Sequence, residues 1–160
     1  MKHLSDIEFA IKEYLKKANL PYKFDKEKSK FMFSVNIASK IKKLDYYIFV
    51  TDEGYYIVTD FELSITKEIT EALAKYLHQI NYYSYYASFV LNLNKNQVYC
   101  QNFTNCVGII PSQGIIAESI LSIKELIIRF GDVIVDITEG FIPSEEHFEK
   151  LISEELAKEY

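Results

Sequence analysis

The chain has 160 residues, of which 49% are apolar and 26% are charged, with only 5 Gly and 3 Pro. This composition excludes a disordered chain and is typical of one globular domain with a sizeable core. The formal net charge is −5, but residues 1–50 hold 11 Lys against 6 acidic residues, whereas residues 51–160 hold 7 basic residues against 17 acidic ones. This division favours opposed positive and negative surfaces, which suit head-to-tail contact or the orientation of a protein partner, over the continuous basic face that a nucleic-acid groove requires.

Two features of the sequence bear on the cellular compartment in which the protein is expected. The first residues, Met1–Asp6, lack the apolar run of a signal peptide, and no stretch approaches the roughly 18 consecutive apolar residues of a membrane helix. We therefore expect a cytoplasmic protein that makes no membrane contact. In that compartment Cys100 and Cys106 are expected to be free thiols.

The first element in the chain is a predicted helix. Ser5–Glu8 has the pattern of a capping box, in which Ser5 and Glu8 satisfy each other's free amides. Apolar residues then recur at helical spacing until Asn19, which ends the helix. A Lys-rich turn is expected over Lys23–Lys30.

Three strands are predicted next. Residues 31–38 alternate between apolar and polar side chains, which indicates a half-buried strand. Tyr46–Val50 has no polar alternate position, which predicts a strand covered on both faces. Asp52–Gly54 supplies a hairpin turn before the returning strand, Tyr55–Thr59. The register of this hairpin stays open because both faces are apolar.

Helical spacing returns at Thr66 and predicts a second helix that ends near Asn81. A tyrosine-rich stretch, 82–86, follows. Alternation beyond it predicts a second hairpin with a tight turn at Lys95–Asn96. This turn would pair Leu93 with Val98 on the core face and place Cys100 there as well.

The last third of the chain is predicted to be helical. Its apolar residues follow steps of four and three places without interruption: Ile116, Ile120, Ile123, Ile127, Phe130, Ile134 and Ile137. The β-branched run 133–138 alone would favour a strand, but the phase predicts one helix over Gln113–Glu139, with a kink at Gly131. A second stripe, formed by Leu121, Ile128 and Val135, predicts burial on more than one side of this helix.

A final helix is expected to begin at residues 143–146. The element order is therefore αβββαββαα, which predicts a single α+β domain over 1–160 with an antiparallel sheet packed against helices.

Catalytic motifs for nucleotide binding and hydrolysis are absent from the sequence. Cys100 or Cys106 with His78 could form a thiolate–imidazole pair, but Cys100 falls on a core face and His78 on the outer face of its helix. Asp132 and Asp136 could share a cation with Glu139, although surface acids one helical turn apart are usually just solvated. We expect no enzyme, no metal site and no cofactor.

Adjacent tyrosines are the strongest positive feature. On a strand, one ring of each pair points inward and its neighbour points outward. The outward rings could simply cover the sheet, or they could form an interface, because Tyr combines a large contact area with a polar tip. The candidates for protein binding are Tyr47, Tyr56, Tyr82, Tyr83, Tyr86 and Tyr99.

Several features together resemble the YbjN family of bacterial proteins described as sensory transduction regulators. These are the element order, a helix that ends at Asn81 directly before a strand, the hairpin Phe89–Cys100, and the long helix that closes with the segment 139–146. The resemblance covers nearly the whole chain. It implies a fold similar to the type III secretion chaperones and a cytosolic, non-enzymatic, homodimeric protein that binds other proteins.

The resulting hypothesis is a protein-binding or regulatory module of the chaperone type. It would capture an extended partner segment or a second copy of itself through a sheet edge and the outward rings. Two alternatives stay open, namely an RNA-binding sheet domain, which the acidic character of residues 51–160 disfavours, and a small thiol enzyme.

Overall fold

The computed structural model describes residues 2–158. Within these residues the elements follow one another in this order: α1 (Lys2–Lys17), β1 (Lys23–Asp25), β2 (Lys30–Asn36), β3 (Lys43–Thr51), β4 (Gly54–Asp60), α2 (Thr70–Tyr83), β5 (Ser88–Asn92), β6 (Gln97–Asn105), α3 (Gln113–Thr138) and α4 (Glu145–Ala157).

The six strands form one antiparallel sheet in the order β1-β2-β3-β4-β6-β5. This confirms the predicted α+β class and the predicted sequence of helices and strands. One short strand, β1, was not predicted because it lies inside the expected Lys-rich turn. Its pairing with β2 matches Phe24 with Phe31, and the two rings lie 4.5 Å apart between centroids.

Helices α1, α2 and α3 pack on one face of the sheet, and α4 packs on α2. On that face α1 and α3 contact β3 and β4, α3 also contacts β6, and α2 lies beside β5. The buried side chains of β3 alternate with half-buried ones, so the prediction that Tyr46–Val50 is covered on both faces is wrong. Tyr47 and Phe49 point away from the helices, and neighbouring strands shield them laterally.

The register of the first long hairpin is now determined. Val50 lies opposite Tyr55, and Thr51 lies opposite Gly54, so the loop is Asp52–Glu53. Gly54 has a φ of 153°, and a Cβ at this position would lie 2.1 Å from the Thr104 carbonyl oxygen on β6. Glycine is therefore required here because two backbones approach each other closely.

The predicted register of the second hairpin is wrong by two residues. Leu91, not Leu93, lies opposite Val98, and Phe89 lies opposite Cys100. The loop has four residues because the Asn92 side chain accepts hydrogen bonds from the amides of residues 94 and 95, a turn that asparagine favours. A two-residue shift keeps every side chain on its predicted face, so Cys100 is still in the core.

Helix α3 is continuous through Gly131, which confirms the helical phase over the strand alternative. A Cβ on Gly131 would lie 2.7 Å from the Ile41 Cδ1 atom, so the glycine makes room for Ile41 against the helix. The second stripe is not buried as predicted. Leu121 and Ile128 are exposed, because the side of α3 that packs into the core carries the stripe that begins at Ile116, together with Leu126.

The predicted capping box is also wrong. Helix α1 begins at Lys2, three residues before Ser5, so Ser5 lies inside the first turn. Its hydroxyl donates to the Lys2 carbonyl oxygen at 3.1 Å. The helix starts earlier because Leu4 and Ile7 already pack against the core.

We predict that Gly54→Ala lowers the free energy of unfolding by about 2–4 kcal/mol, because the added methyl group collides with the backbone of β6. Urea denaturation followed by circular dichroism measures this change. Gly114→Ala is the matched control, since a Cβ there meets nothing nearer than the Ser112 Oγ atom at 3.8 Å. Equal stability of the Gly54 and Gly114 variants would contradict the close approach.

Candidate protein-interaction surface

The sheet face that carries no helix is a candidate binding surface, which we call the open face. It follows from strict alternation, because the residues between the buried positions of β2, β3, β4 and β6 all point to this side. Register places the following side chains on it: Lys30, Met32, Tyr47, Phe49, Tyr56, Val58, Tyr99, Gln101 and Phe103.

An aromatic row crosses the open face. Phe49 and Tyr56 are directly opposite each other on β3 and β4, and their rings stack with centroids 4.7 Å apart and planes 9° apart. Phe103 lies opposite Tyr56 on the next strand. The Lys30 ammonium lies 5.7 Å from the centroid of Phe49. The faces of the Phe49 and Tyr56 rings are therefore turned to each other, and their edges point outward.

A second group of aromatic residues lies at the C-terminal end of α2 and in its connection to β5, and we call it the tyrosine segment. It consists of Tyr82, Tyr83, Tyr85 and Tyr86, whose exposed fractions are 75%, 48%, 91% and 72%. The expectation that one ring of each pair points inward is wrong here, because these residues end a helix and enter a bend rather than a strand. The prediction holds for the pairs on β3 and β4, where Tyr46 and Tyr55 are buried.

Local hydrogen bonds and a ring contact hold the tyrosine segment in place. The Ser84 amide donates to the Asn81 carbonyl oxygen at 3.3 Å. The Ser84 hydroxyl donates to the Ala87 carbonyl oxygen at 2.5 Å. Tyr82 and Tyr83 contact each other edge to face, with centroids 4.9 Å apart. The exposed rings are thus presented on an ordered connection between two elements.

One cavity joins the two aromatic groups. It has a volume of about 410 Å³, and Tyr56, Tyr85, Tyr86, Gln101 and Phe103 are among the residues that line it. The open face and the tyrosine segment therefore form one continuous surface, which we call the aromatic surface.

All six predicted binding candidates lie on the aromatic surface. Tyr47, Tyr56 and Tyr99 are on the open face, and Tyr82, Tyr83 and Tyr86 are in the tyrosine segment. Sequence reasoning missed two exposed members, Tyr85 and Phe103. The alternation of side chains along β6 could have identified Phe103, because it lies four residues after Tyr99 and therefore points to the same face. Tyr85 carried no such signal because it belongs to no regular element.

The outer edge of the sheet at β5 is closed by a side chain. The Asn81 amide nitrogen donates to the Phe89 carbonyl oxygen at 2.8 Å, and the Phe89 amide donates to the Asn81 Oδ1 atom at 2.8 Å. Asn81 thus takes the place of a neighbouring strand. At the other edge, β1 offers only three residues. Addition of an extended partner segment as a further strand is therefore blocked at Phe89. At β1 only three residues could pair with such a segment.

We predict that Asn81→Ala lowers the free energy of unfolding by about 1–3 kcal/mol, because it leaves both backbone groups of Phe89 without their partner. Amide hydrogen exchange at Phe89 should also become faster. Asn94→Ala, in the exposed hairpin loop, should change stability by less than about 0.5 kcal/mol. Unchanged exchange at Phe89 in the Asn81 variant would contradict the assigned role.

The candidate thiol residues are not brought together in a reactive arrangement. Cys100 and Cys106 are both free and buried, whereas His78 is exposed on α2. Burial raises the pKa of the Cys100 thiol above its usual range, and burial likewise raises the pKa of Cys106. A nucleophilic thiol requires a lowered pKa.

We predict that both thiols react slowly with a water-soluble disulfide reagent at pH 8, because the raised pKa leaves little thiolate and burial hinders access. Absorbance of the released thiol reports the rate. Reaction in 8 M urea is the control and should be faster by at least about tenfold. A folded protein that reacts faster than a small model thiol would overturn this assignment and favour the thiol-enzyme alternative.

Two of the three acidic candidates for a cation site, Asp132 and Asp136, have protein partners. Asp132 accepts hydrogen bonds from the Ser39 hydroxyl at 2.7 Å and from the Lys40 amide at 2.8 Å, and Asp136 pairs with the Lys40 ammonium. These contacts fasten the β2–β3 loop to α3 beside Gly131. In residues 2–158, no group of three or more His, Cys, Asp or Glu side chains is placed to hold a metal ion.

Comparison with protein-family models, with curated proteins and with solved structures gave no match. Among the described helices, none combines the length and the apolar character needed to cross a membrane.

Proposed function

We propose that this protein is a non-enzymatic protein-binding module, and that it binds another protein through the aromatic surface. The proposal includes kinship with the YbjN family and a cytoplasmic role similar to that of secretion chaperones. A second copy of the chain is among its proposed partners.

The observation that carries the proposal is the continuous row of tyrosine and phenylalanine rings outside the core. Tyr56, Tyr85 and Tyr86 each combine a large apolar ring with a hydroxyl that water can solvate when no partner is bound. Such residues are enriched where proteins meet, because they contribute contact area with few side-chain rotations to restrict. The alternate positions of the strands lie on a rigid sheet, so little further ordering is needed on binding.

Ring orientation favours a protein partner over RNA. Nucleobases bind sheets by stacking on exposed ring faces, but the Phe49 and Tyr56 faces are turned to each other and Lys30 lies beside the outer face of Phe49. Asp45 and Asp60, opposite each other on β3 and β4, add negative charge to the same side of the sheet.

We predict that the paired substitution Tyr56→Ser and Tyr86→Ser lowers the recovery of partner proteins from the native cell extract by at least about tenfold, because it removes two central rings of the surface. Quantitative mass spectrometry of proteins captured on the immobilised chain measures the recovery. Phe9→Ser with Phe141→Ser is the matched control, since both rings are exposed and lie on or beside helices.

Two results would contradict the proposed function. One is equal loss of captured proteins in the control pair, which would show that binding does not depend on the aromatic surface. The other is a gel shift of a 20-nucleotide uridine oligomer at low salt that the Tyr56 and Tyr86 substitutions abolish, which would favour the RNA-binding alternative.

A further inference from the structure

A cavity beside the aromatic surface lies between the end of β6 and the first half of α3. It has a volume of about 330 Å³, and its lining includes Asn102 of β6, Glu118, Ser119 and Ser122 of α3, and Tyr86 of the tyrosine segment. We call it the polar cavity. Its volume is at the lower end of the range in which proteins hold small ligands.

The polar cavity exists because β6 is longer than its outer neighbour. β5 begins at Ser88, opposite Gln101, so no described strand lies on that side of residues 102–105. Helix α3 passes beside this stretch of β6. Asn102 has the same orientation as the buried Cys100, so its side chain points toward the helices. Polar groups of β6 and α3 therefore meet at the inner wall of the cavity.

The inner wall uses its own side-chain donors within the protein. The Asn102 Nδ2 group donates to the Ser119 carbonyl oxygen at 2.5 Å and to the Ser122 hydroxyl at 3.2 Å. The Ser122 hydroxyl donates to the Ser119 carbonyl oxygen at 3.1 Å, and the Ser119 hydroxyl donates to the Ile116 carbonyl oxygen at 2.8 Å. An amide nitrogen carries two protons and a hydroxyl carries one, so these three side chains have no donor left for a ligand.

Acceptors remain on the same wall. Within residues 2–158, the Asn102 Oδ1 atom is buried and has no hydrogen-bond partner. Buried acceptors are nearly always paired, so an acceptor left over in the lining of a cavity points to a donor that comes from another molecule. The Ser122 oxygen has a second lone pair besides the one that accepts from Asn102. The exposed Glu118 adds a carboxylate at the rim.

We propose that the polar cavity binds a guanidinium group. A guanidinium has five N–H donors in one plane and no acceptor, so it matches a wall that offers only acceptors from its side chains. It also packs favourably against an aromatic ring, and the ring of Tyr86 lines the cavity. Two sources carry this chemistry, namely a free small molecule and the arginine side chain of a bound protein.

Charge along α3 favours the same ligand and indicates its position. Glu118 and Glu125 both line a neighbouring cavity of about 280 Å³, which shares Tyr86 with the polar cavity. Arg129 lines that neighbouring cavity too, but it is eleven residues beyond Glu118, which is about 16 Å along a helix. A cation is therefore favoured at the Asn102 end, away from Arg129, where an anion would meet a carboxylate.

Nuclear magnetic resonance titration of the isotope-labelled full chain with Nα-acetyl-arginine methylamide tests the proposal. We expect saturable shifts of the Asn102 side-chain amide and of the Ser122 backbone amide. Nα-acetyl-citrulline methylamide has nearly the same shape without the charge, and it should bind at least about tenfold more weakly. Equal binding of the two probes, or no saturable shift up to about 50 mM, would overturn the proposal.

Substitutions of Glu118 test the charge at the rim. Glu118→Gln keeps the shape and should weaken binding of the arginine probe by at least about threefold. Glu118→Lys places an ammonium beside the acceptors and should abolish binding. Glu149→Gln is the matched control, because Glu149 is exposed on α4 and lines neither cavity. Equal weakening by the Glu118→Gln and Glu149→Gln substitutions would show general charge attraction and contradict a site at Asn102.

Inorganic phosphate tests the sign of the ligand charge. At the same ionic strength it should leave the Asn102 and Ser122 signals unchanged, because the inner wall has no side-chain donor to offer it. Saturable shifts of these signals by phosphate would assign the cavity to an anion and overturn the proposal.

Two further probes distinguish the sources of the guanidinium. Propylguanidine is the free side-chain analogue, and a blocked pentapeptide with one arginine between glycines carries the same group on a chain. Binding of propylguanidine at least as tight as that of the peptide supports a free small molecule. Binding of the peptide at least about tenfold tighter supports an arginine of a protein. Every probe is a defined compound, so this site can fail while protein capture by the aromatic surface stands, and the reverse also holds.

Discussion

The fold depends on a line of buried hydrogen bonds between α3 and the sheet. The Tyr55 hydroxyl and the Ser119 hydroxyl lie 3.0 Å apart, and the Asn102 side chain donates to the Ser119 carbonyl oxygen at 2.5 Å. Tyr46 donates to the Ile120 carbonyl oxygen at 3.3 Å. An unpaired polar group would be costly in this core, so these bonds fix the rotation and position of α3 over β3, β4 and β6.

Fixing α3 decides which surfaces are left for binding. Its buried stripe covers the part of the sheet around β4 and β6, while Gly131 makes room for Ile41 and the Ser39 and Lys40 contacts hold the C-terminal half of the helix. The described helices then all lie on one side. The other face, whose alternate positions are rich in aromatic residues, stays open because no element of residues 2–158 crosses it.

The exposed tyrosines are concentrated in one region. Tyr56 lies on the open face, and Tyr82, Tyr83, Tyr85 and Tyr86 form the tyrosine segment. Each of these rings carries a hydroxyl that water can solvate when no partner is bound. Asn81 restricts strand pairing at the outer edge of the sheet, because it occupies both backbone groups of Phe89 on β5.

The sequence by itself determined the α+β class, the order of the main elements, the continuous helix α3 and the facing of Cys100, because these follow from residue periodicity along the chain. Periodicity shows only that one side of a helix or strand is apolar, and not which element packs against that side. It could not show that Tyr47 and Phe49 remain open while Leu121 and Ile128 face water, since that depends on which element packs where. Tertiary structure decided three further features: the register of the hairpins, the hydrogen bonds of Asn81 to Phe89, and the contact between the open face and the tyrosine segment. Each of them joins residues that no local sequence pattern relates.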